Sequence, residues 1–257
     1  VLVGGCEYAV QLCRDHLGAP DDRLACVYYG SRPEVFDPAI ADRARVRREL
    51  GVDDDTPLIG VIAHFYPPTR GPQTPTATHG IGLKGHDYFL DAARIVTRRF
   101  PNARFVLVGS GSNELGEKYR QALIDQSRDL GDRVIFAPHR DDLVDTISAL
   151  DIAVQCALTE GLGGTLEALM MARPTIATRV GGMPEAVRHE ETGLLVPPAN
   201  AAALANAMER MLEDRDEAAK FGAAGRALML ERFTLERTGA DLEALYQTRR
   251  ITRAGTP

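Results

Sequence analysis

Aliphatic runs alternate with longer stretches of mixed polarity along most of the chain. The aliphatic runs predict β-strands at residues 58–63, 104–108, 134–137, 152–155, 175–178 and 194–196. Several runs are continuously apolar rather than alternating, which is typical of strands that helices cover on both faces of a parallel sheet. The stretches between them predict helices at residues 87–99, 116–130, 141–150 and after a capping Asn200. This order predicts an α/β fold with a doubly wound parallel sheet, in which ligands bind at the carboxyl ends of the strands.

The two ends of the chain fall outside this alternation. Residues 1–24 predict a short strand, a helix at Glu7–Leu17 and a turn, and residues 235–249 predict one more amphipathic helix. Residues 1–5 are apolar and contain no Met, so we expect the chain to begin inside a larger protein. The segment 66–85, rich in Pro, Gly and Thr, predicts a long loop after the first main strand, which is either functional or a tolerated insertion.

Composition narrows the classes of function. The 257 residues carry 30 basic and 36 acidic side chains, a formal net charge of −6, which disfavours binding to nucleic acid through basic patches. No apolar run reaches the roughly 18 residues that span a bilayer, and no signal peptide is visible, which leaves only peripheral membrane contact open. The four cysteines form no Cys-x-x-Cys pair, which argues against a zinc site and favours a cytoplasmic location.

Candidate chemistry is concentrated between the strand at 152–155 and the next helix. Two acids, Glu160 and Glu167, bound a glycine-rich turn. Glycines let backbone N–H groups approach a ligand closely, and the amino end of the following helix favours an anion such as phosphate. Carboxylates instead accept hydrogen bonds from sugar hydroxyls, so the combination suits a ligand with both a diphosphate and sugars. Taken singly, Glu160 could equally be a solvated loop acid and Glu167 a favourable charge in a first helical turn.

Further short motifs accompany this turn, in a fixed order and spacing. Downstream lie Pro-Thr-Ile-Ala-Thr at 174–178, Gly-Gly-Met-Pro-Glu at 181–185 and Thr-Gly-Leu-Leu-Val at 192–196. Upstream lie Tyr29-Gly30 and 36–38 in a connector, then Lys84-Gly85 and Gly109-Ser110-Gly111. Together, over residues 25–250, these motifs resemble the donor-binding half of the GT-B glycosyltransferases of retaining family 4.

This resemblance implies a nucleotide-diphosphate sugar as the donor, an acceptor of unknown class (glycan, lipid or small molecule) and no need for a bound metal. It assigns Lys84 to the donor diphosphate, Glu160 to hydroxyls of the transferred sugar and Glu167 to the ribose. Closer contacts are implied for Gly161, Leu162, Gly163, Gly164, Thr165, Gly109 and Gly111. Ala137 and His139 fall where the family receives the nucleobase, although His139 could equally be a surface histidine.

Two departures from the family pattern concern the same site. The turn between Glu160 and Glu167 is one residue shorter than usual. His64 stands where the family has an Arg after the first strand, so an imidazole replaces a permanent cation. Either His64 or Arg70, in the long loop, is expected to supply the missing charge. The acidic run 53–55 resembles a metal-binding motif but precedes the first strand, so it is interpreted as a solvated turn.

The resemblance also predicts how the chain is divided. We expect residues 1–24 to be the remnant of an amino-terminal acceptor domain, 25–234 the donor-binding domain, and 235–257 a helix that crosses back, with a tail. Such a chain would bind the donor but need the missing domain for transfer. Open alternatives are a GT-B nucleotide-sugar epimerase or phosphorylase, a non-catalytic nucleotide-sugar-binding domain, and a dinucleotide-dependent oxidoreductase, for which the turn at 109–111 lacks the third glycine.

Overall fold

The computed structural model describes residues 1–68 and 82–253, with side chains as far as residue 248. The strands are β1 (Leu2–Gly4), β2 (Leu24–Cys26), β3 (Leu58–Ile62), β4 (Arg104–Val108), β5 (Val134–Ala137), β6 (Ile152–Gln155), β7 (Thr175–Thr178) and β8 (Leu194–Val196). The helices are α1 (Glu7–Leu17), α2 (Arg43–Glu49), α3 (His86–Arg99), α4 (Glu114–Gln126), α5 (Leu143–Ala149), α6 (Thr165–Met170), α7 (Met183–Ala186), α8 (Ala201–Glu213), α9 (Arg215–Arg232) and α10 (Leu235–Arg253).

Strands β3 to β8 form a single parallel sheet in the order β5-β4-β3-β6-β7-β8. Ile59 of β3 pairs with Phe105 of β4 on one side and with Ile152 of β6 on the other. The chain order reverses between β3 and β6, and a crevice opens at such a switch point beyond the carboxyl ends of the strands. The predicted doubly wound, Rossmann-like α/β fold is therefore confirmed.

Helices cover both faces of this sheet. Alternate residues of β4 show this directly, since Phe105 and Leu107 pack into one hydrophobic cluster and Val106 and Val108 into another. The first cluster joins the sheet to α3, α4 and α8. On the opposite face α2 and α5 form one group, while α6, α7 and α9 form a second. The buried strands thus explain the continuously apolar runs in the sequence.

The first 26 residues form a unit of their own beside this sheet. Strands β1 and β2 pair with each other in parallel, and α1 connects them. The amino end of α1 docks on α7, because the backbone N–H groups of Glu7 and Tyr8 each donate to the Glu185 carboxylate at 2.9 Å. The connector that follows is fixed at Ser31, whose N–H donates to the Phe233 carbonyl at 2.9 Å.

Helix α9 was not predicted by the sequence pattern, and neither were α2 and α7. Glycines at 222 and 225 weaken a helix locally, which hides α9 from an argument based on periodicity. Their role is spatial: a Cβ at Gly222 would lie 2.3 Å from the Ala172 carbonyl oxygen, and one at Gly225 would lie 2.5 Å from Leu169 Cδ2. Close packing of α9 against α6 and the chain that follows it therefore requires the glycines.

Arg47 of α2 anchors the amino edge of the sheet. Its side chain is fully buried, and its guanidinium donates to the carbonyls of Ala149 at 2.8 Å and Asp53 at 2.6 Å. It also lies 3.3 Å from the Asp151 carboxylate, while burial lowers its pKa. The acidic turn 53–55 is exposed and is held through its backbone by this arginine, at the edge of the sheet opposite the strand carboxyl ends.

Replacing Arg47 by alanine is expected to lower the free energy of unfolding by about 3 kcal/mol, because several buried acceptors lose their donor. Urea unfolding followed by circular dichroism measures the change. The neighbouring Arg48 is exposed, so Arg48→Ala should stay within about 0.5 kcal/mol of the wild type. Equal losses in the two variants would contradict the anchoring role.

Candidate functional site

The candidate site lies beyond the carboxyl ends of β5, β4, β3 and β6, which are neighbours in the sheet. Each strand delivers one predicted group to this edge. Ala137 ends β5 and His139 follows it, Gly109 and Gly111 follow β4, His64 follows β3, and the turn 160–164 follows β6. The fold therefore brings to one edge residues that are nearly 100 positions apart in the chain. Arg70 and the middle of the long loop lie outside the described residues.

Lys84 and Glu160 form an ion pair at the centre of this edge. The Nζ atom of Lys84 bonds to Oε2 of Glu160, and both side chains are about four-fifths buried. Lys84 is placed by the segment before α3, where the Leu158 N–H donates to the Leu83 carbonyl at 2.9 Å. The next histidine, His86, is buried and stacked on Phe65, and its pKa is lowered to about 3 by burial and by Lys84. At neutral pH His86 is therefore uncharged.

The backbone around Glu160 is shaped by glycines at 163 and 181, both with positive φ. Gly181 begins the Gly-Gly-Met-Pro-Glu motif, and its φ is +55°. A Cβ at Gly181 would lie 1.7 Å from the Glu160 carbonyl oxygen, and the Gly182 N–H donates to that same oxygen at 3.3 Å. The downstream motif therefore supports the turn directly, which explains why the two occur together in this sequence.

Glu167 lies in the first turn of α6 and is mostly buried. Its Oε1 accepts a hydrogen bond from the Ser31 hydroxyl at 3.2 Å. Its Oε2 is buried and has no hydrogen-bond partner among the described residues. Burial raises the pKa of Glu167, partly offset by its own backbone N–H and by Ser31. A buried acceptor left without a donor destabilises the free protein, and a ligand hydroxyl would remove this penalty.

Sequence reasoning missed two connector residues at this site. Ser31 holds Glu167, and the Tyr29 hydroxyl accepts hydrogen bonds from the N–H groups of Leu162 and Gly163 at 3.0 Å each. The Tyr29-Gly30 motif was noted only as a connector, since nothing in its spacing shows that it folds back onto the turn. The Thr165 hydroxyl is buried at the start of α6 and, like Glu167 Oε2, has no partner among the described residues.

A cavity of about 420 Å³ opens beside Glu167. Its polar margin includes Tyr29, Gly163, Gly164, Gln155 and Glu167, and its apolar walls come from Ile62, Leu143, Ile147 and Leu150. Apolar walls with a few polar groups at one margin are typical of small-molecule sites. The apolar wall comes from β3, α5 and Leu150 directly after α5, and no motif in the sequence indicates a ligand contact at these positions.

His64 and His139 meet at the β4 side of the edge. Their rings are nearly parallel, 6° apart, with centroids separated by 5.8 Å. His64 Nδ1 lies 3.3 Å from the Ser110 carbonyl, an atom that can only accept a hydrogen bond. The backbone N–H of His139 donates to the Ser110 hydroxyl at 3.3 Å. The sequence gives no sign of this pairing, which forms across the turn after β4.

Comparison with known proteins agrees with this arrangement. The family model described as glycosyl transferases group 1 matches residues 78–214. The chain therefore belongs to the group 1 glycosyltransferase family. Among curated relatives, D-inositol 3-phosphate glycosyltransferase of Corynebacterium glutamicum (strain R) is 30% identical over 259 residues, covering 96% of this chain and 56% of that protein.

Two further proteins show the range of relatives. The GDP-mannose-dependent monoacylated alpha-(1-6)-phosphatidylinositol monomannoside mannosyltransferase of Corynebacterium glutamicum is 30% identical, covering 83% of this chain and 53% of that protein. The crystal structure of HepE from Anabaena in complex with UDP superposes with a TM-score of 0.83 at 22% identity, covering 96% of this chain and 64% of that one. The chain thus spans about half the length of the curated relatives it matches.

Within the described part of the chain, no helix has the length and apolar character needed to cross a membrane.

Proposed function

We propose that this chain binds a nucleoside diphosphate sugar between β3 and β6 and that, together with an acceptor-binding domain, it transfers the sugar with retention of configuration. The observation that carries the proposal is the buried Oε2 of Glu167, unpartnered among the described residues, at the margin of the cavity. A carboxylate there suits a ribose, whose hydroxyls donate. A related protein whose name specifies GDP-mannose, and a UDP-bound structural neighbour, support this ligand class.

The remaining groups take their roles from their positions. Lys84 supplies the cation for the diphosphate, and Glu160, which is bonded to Lys84, accepts hydrogen bonds from hydroxyls of the transferred sugar. During transfer, negative charge collects on the departing diphosphate, and a positioned cation and backbone N–H groups stabilise it. The nucleoside enters the cavity beside Glu167. We place the reaction in the cytoplasm because all four cysteines are free.

Titration calorimetry with UDP, GDP, UDP-glucose and GDP-mannose tests donor binding by the 257-residue chain. We expect one base to be preferred, and Glu167→Ala to weaken that nucleotide by about tenfold, the loss of one charge-assisted hydrogen bond. Glu236→Ala is the matched control, since Glu236 also lies in a first helical turn but is exposed. Absence of binding to all four compounds would refute the proposal. A second assay distinguishes transfer from epimerase or phosphorylase activity. In a transferase, release of nucleoside diphosphate requires an acceptor.

The raised pKa of Glu167 predicts a stability difference that depends on pH. The folded chain holds the Glu167 proton to higher pH than the unfolded chain, so ionisation costs stability as pH rises from the unfolded pKa through the folded one. Glu167→Gln removes this penalty. The variant should gain stability over the wild type between about pH 4 and neutral pH, with no gain at lower pH. Urea unfolding across this range measures it, and a difference that does not change with pH would contradict it.

A further inference from the structure

The glycine-rich turn already has a ligand from its own chain. The N–H groups of Leu162 and Gly163 both point at the Tyr29 hydroxyl oxygen, each at 3.0 Å. Consecutive N–H groups that converge on one oxygen form the type of concavity that proteins use for anionic oxygens. Tyr29 and Gly163 also line the cavity beside Glu167. The phenol therefore occupies hydrogen-bonding groups that the proposed donor needs.

We propose that the Tyr29 hydroxyl is an internal ligand of the turn, which an oxygen of the sugar-nucleotide donor displaces on binding. Donor and tyrosine then compete for the same two N–H groups, and Tyr29 lowers donor affinity while keeping the turn in its binding conformation. The inference rests on the proposed donor function and adds to it a residue that sets affinity.

The exchange of ligands is favourable on chemical grounds. Burial raises the pKa of Tyr29, so the phenol stays neutral at physiological pH. A diphosphate oxygen is charged, and hydrogen bonds to a charged acceptor are roughly twice as strong as those to a neutral one. Tyr29 is also 42% exposed, which gives its side chain room to leave. A neutral, partly exposed acceptor is therefore replaced by a stronger one.

The side chain moves while the backbone beside it is held. A Cβ at Gly30 would lie 2.4 Å from the carbonyl carbon of Thr234, so the connector is packed tightly there. Ser31 is bonded on both sides, donating to Phe233 and accepting from the Leu235 N–H at 3.0 Å. The ring itself leans on Gly5, where a Cβ would lie 2.8 Å from Tyr29 Cδ1. A methyl group at position 5 would thus collide with the ring and force it to move.

Calorimetry on the 257-residue chain with UDP and GDP tests the inference. Tyr29→Phe removes only the oxygen, and we expect it to bind the preferred nucleotide about fivefold more tightly, the equivalent of one net hydrogen bond. Gly5→Ala keeps the Tyr29 hydroxyl but forces the ring to move. We therefore expect this variant to bind the nucleotide more tightly as well. Tyr28→Phe is the matched control, because the Tyr28 ring packs on Phe233. The nucleotide affinity of this variant should stay within about twofold of the wild type.

Hydrogen exchange provides a second measurement on the same proteins. The amides of Leu162 and Gly163 should exchange faster in Tyr29→Phe than in the wild type, and saturating nucleotide should protect them in both. Equal or weaker nucleotide binding by Tyr29→Phe would overturn the inference, since a residue that only positions the turn gives that result. If the wild type and all variants bind neither nucleotide, the donor function itself fails, and the inference with it.

Discussion

Replacing Lys84 by alanine is expected to weaken nucleoside diphosphate binding by about 10- to 100-fold, the range for loss of a charge-assisted bond. Two effects act in the same direction. The diphosphate loses its cation, and Glu160 keeps a mostly buried negative charge that now repels the ligand instead of pairing with Lys84. Calorimetry with the preferred nucleotide, at fixed ionic strength, measures the loss.

The control for Lys84 is Lys118→Ala, which removes the same charge from an exposed position on α4. It should change affinity less than twofold. The double variant Lys84→Ala with Glu160→Gln should recover part of the lost nucleotide affinity, because the repelling charge is gone. If the double variant binds no better than Lys84→Ala, the ion pair has no part in donor binding. If Lys84→Ala binds like the wild type, Lys84 does not contact the diphosphate.

Substituting Gly181 by alanine is expected to lower the free energy of unfolding by about 3 kcal/mol and to abolish measurable nucleotide binding. Alanine at a φ of +55° is strained, and its Cβ would meet the Glu160 carbonyl oxygen at 1.7 Å, so the turn must move. Urea unfolding and calorimetry on one preparation measure both effects.

Gly51 offers a control that separates strain from collision. Its φ is +67°, yet a Cβ there would have nothing within 4 Å. Gly51→Ala should therefore lose only about 1 kcal/mol, for the left-handed backbone, and should bind nucleotide normally. If both variants lose equal stability and both bind, the contact between Gly181 and Glu160 does not shape the site.

The sequence predicted the fold well where the pattern of residues along the chain reflects how the folded chain packs. Aliphatic runs marked all the strands of the main sheet within a residue or so, and several of these runs are continuously apolar because strands buried on both faces carry few polar residues. The helix after Asn200 was likewise found from its cap, which the structure shows accepting from the Ala203 N–H. Helix α9 was missed because its glycines serve packing against α6, a demand that only the folded chain reveals.

The candidate site was predicted in part, because some of its residues lie in local motifs and others are brought there only by folding. Motifs along the chain located the turn, its two acids and Lys84, since those residues lie in short recognisable patterns. The contact between Lys84 and Glu160 joins positions 76 residues apart and comes from the order of the strands. Tyr29 contacts the turn, and Ser31 contacts Glu167, from positions even farther away in the chain. The spacing of residues in the sequence therefore gave no sign of these two contacts.

The hydrogen bonds around Ser31 also set the mechanics of the connector. Its N–H, carbonyl and hydroxyl are all engaged, with Phe233, Leu235 and Glu167, which makes it a natural pivot. Displacement in a rotation grows with distance from the pivot. A swing that carries β1 and β2 through several ångströms would therefore shift the backbone of Tyr29, two residues away, by far less. The geometry around Glu167 would in this way change little if the preceding segment were displaced.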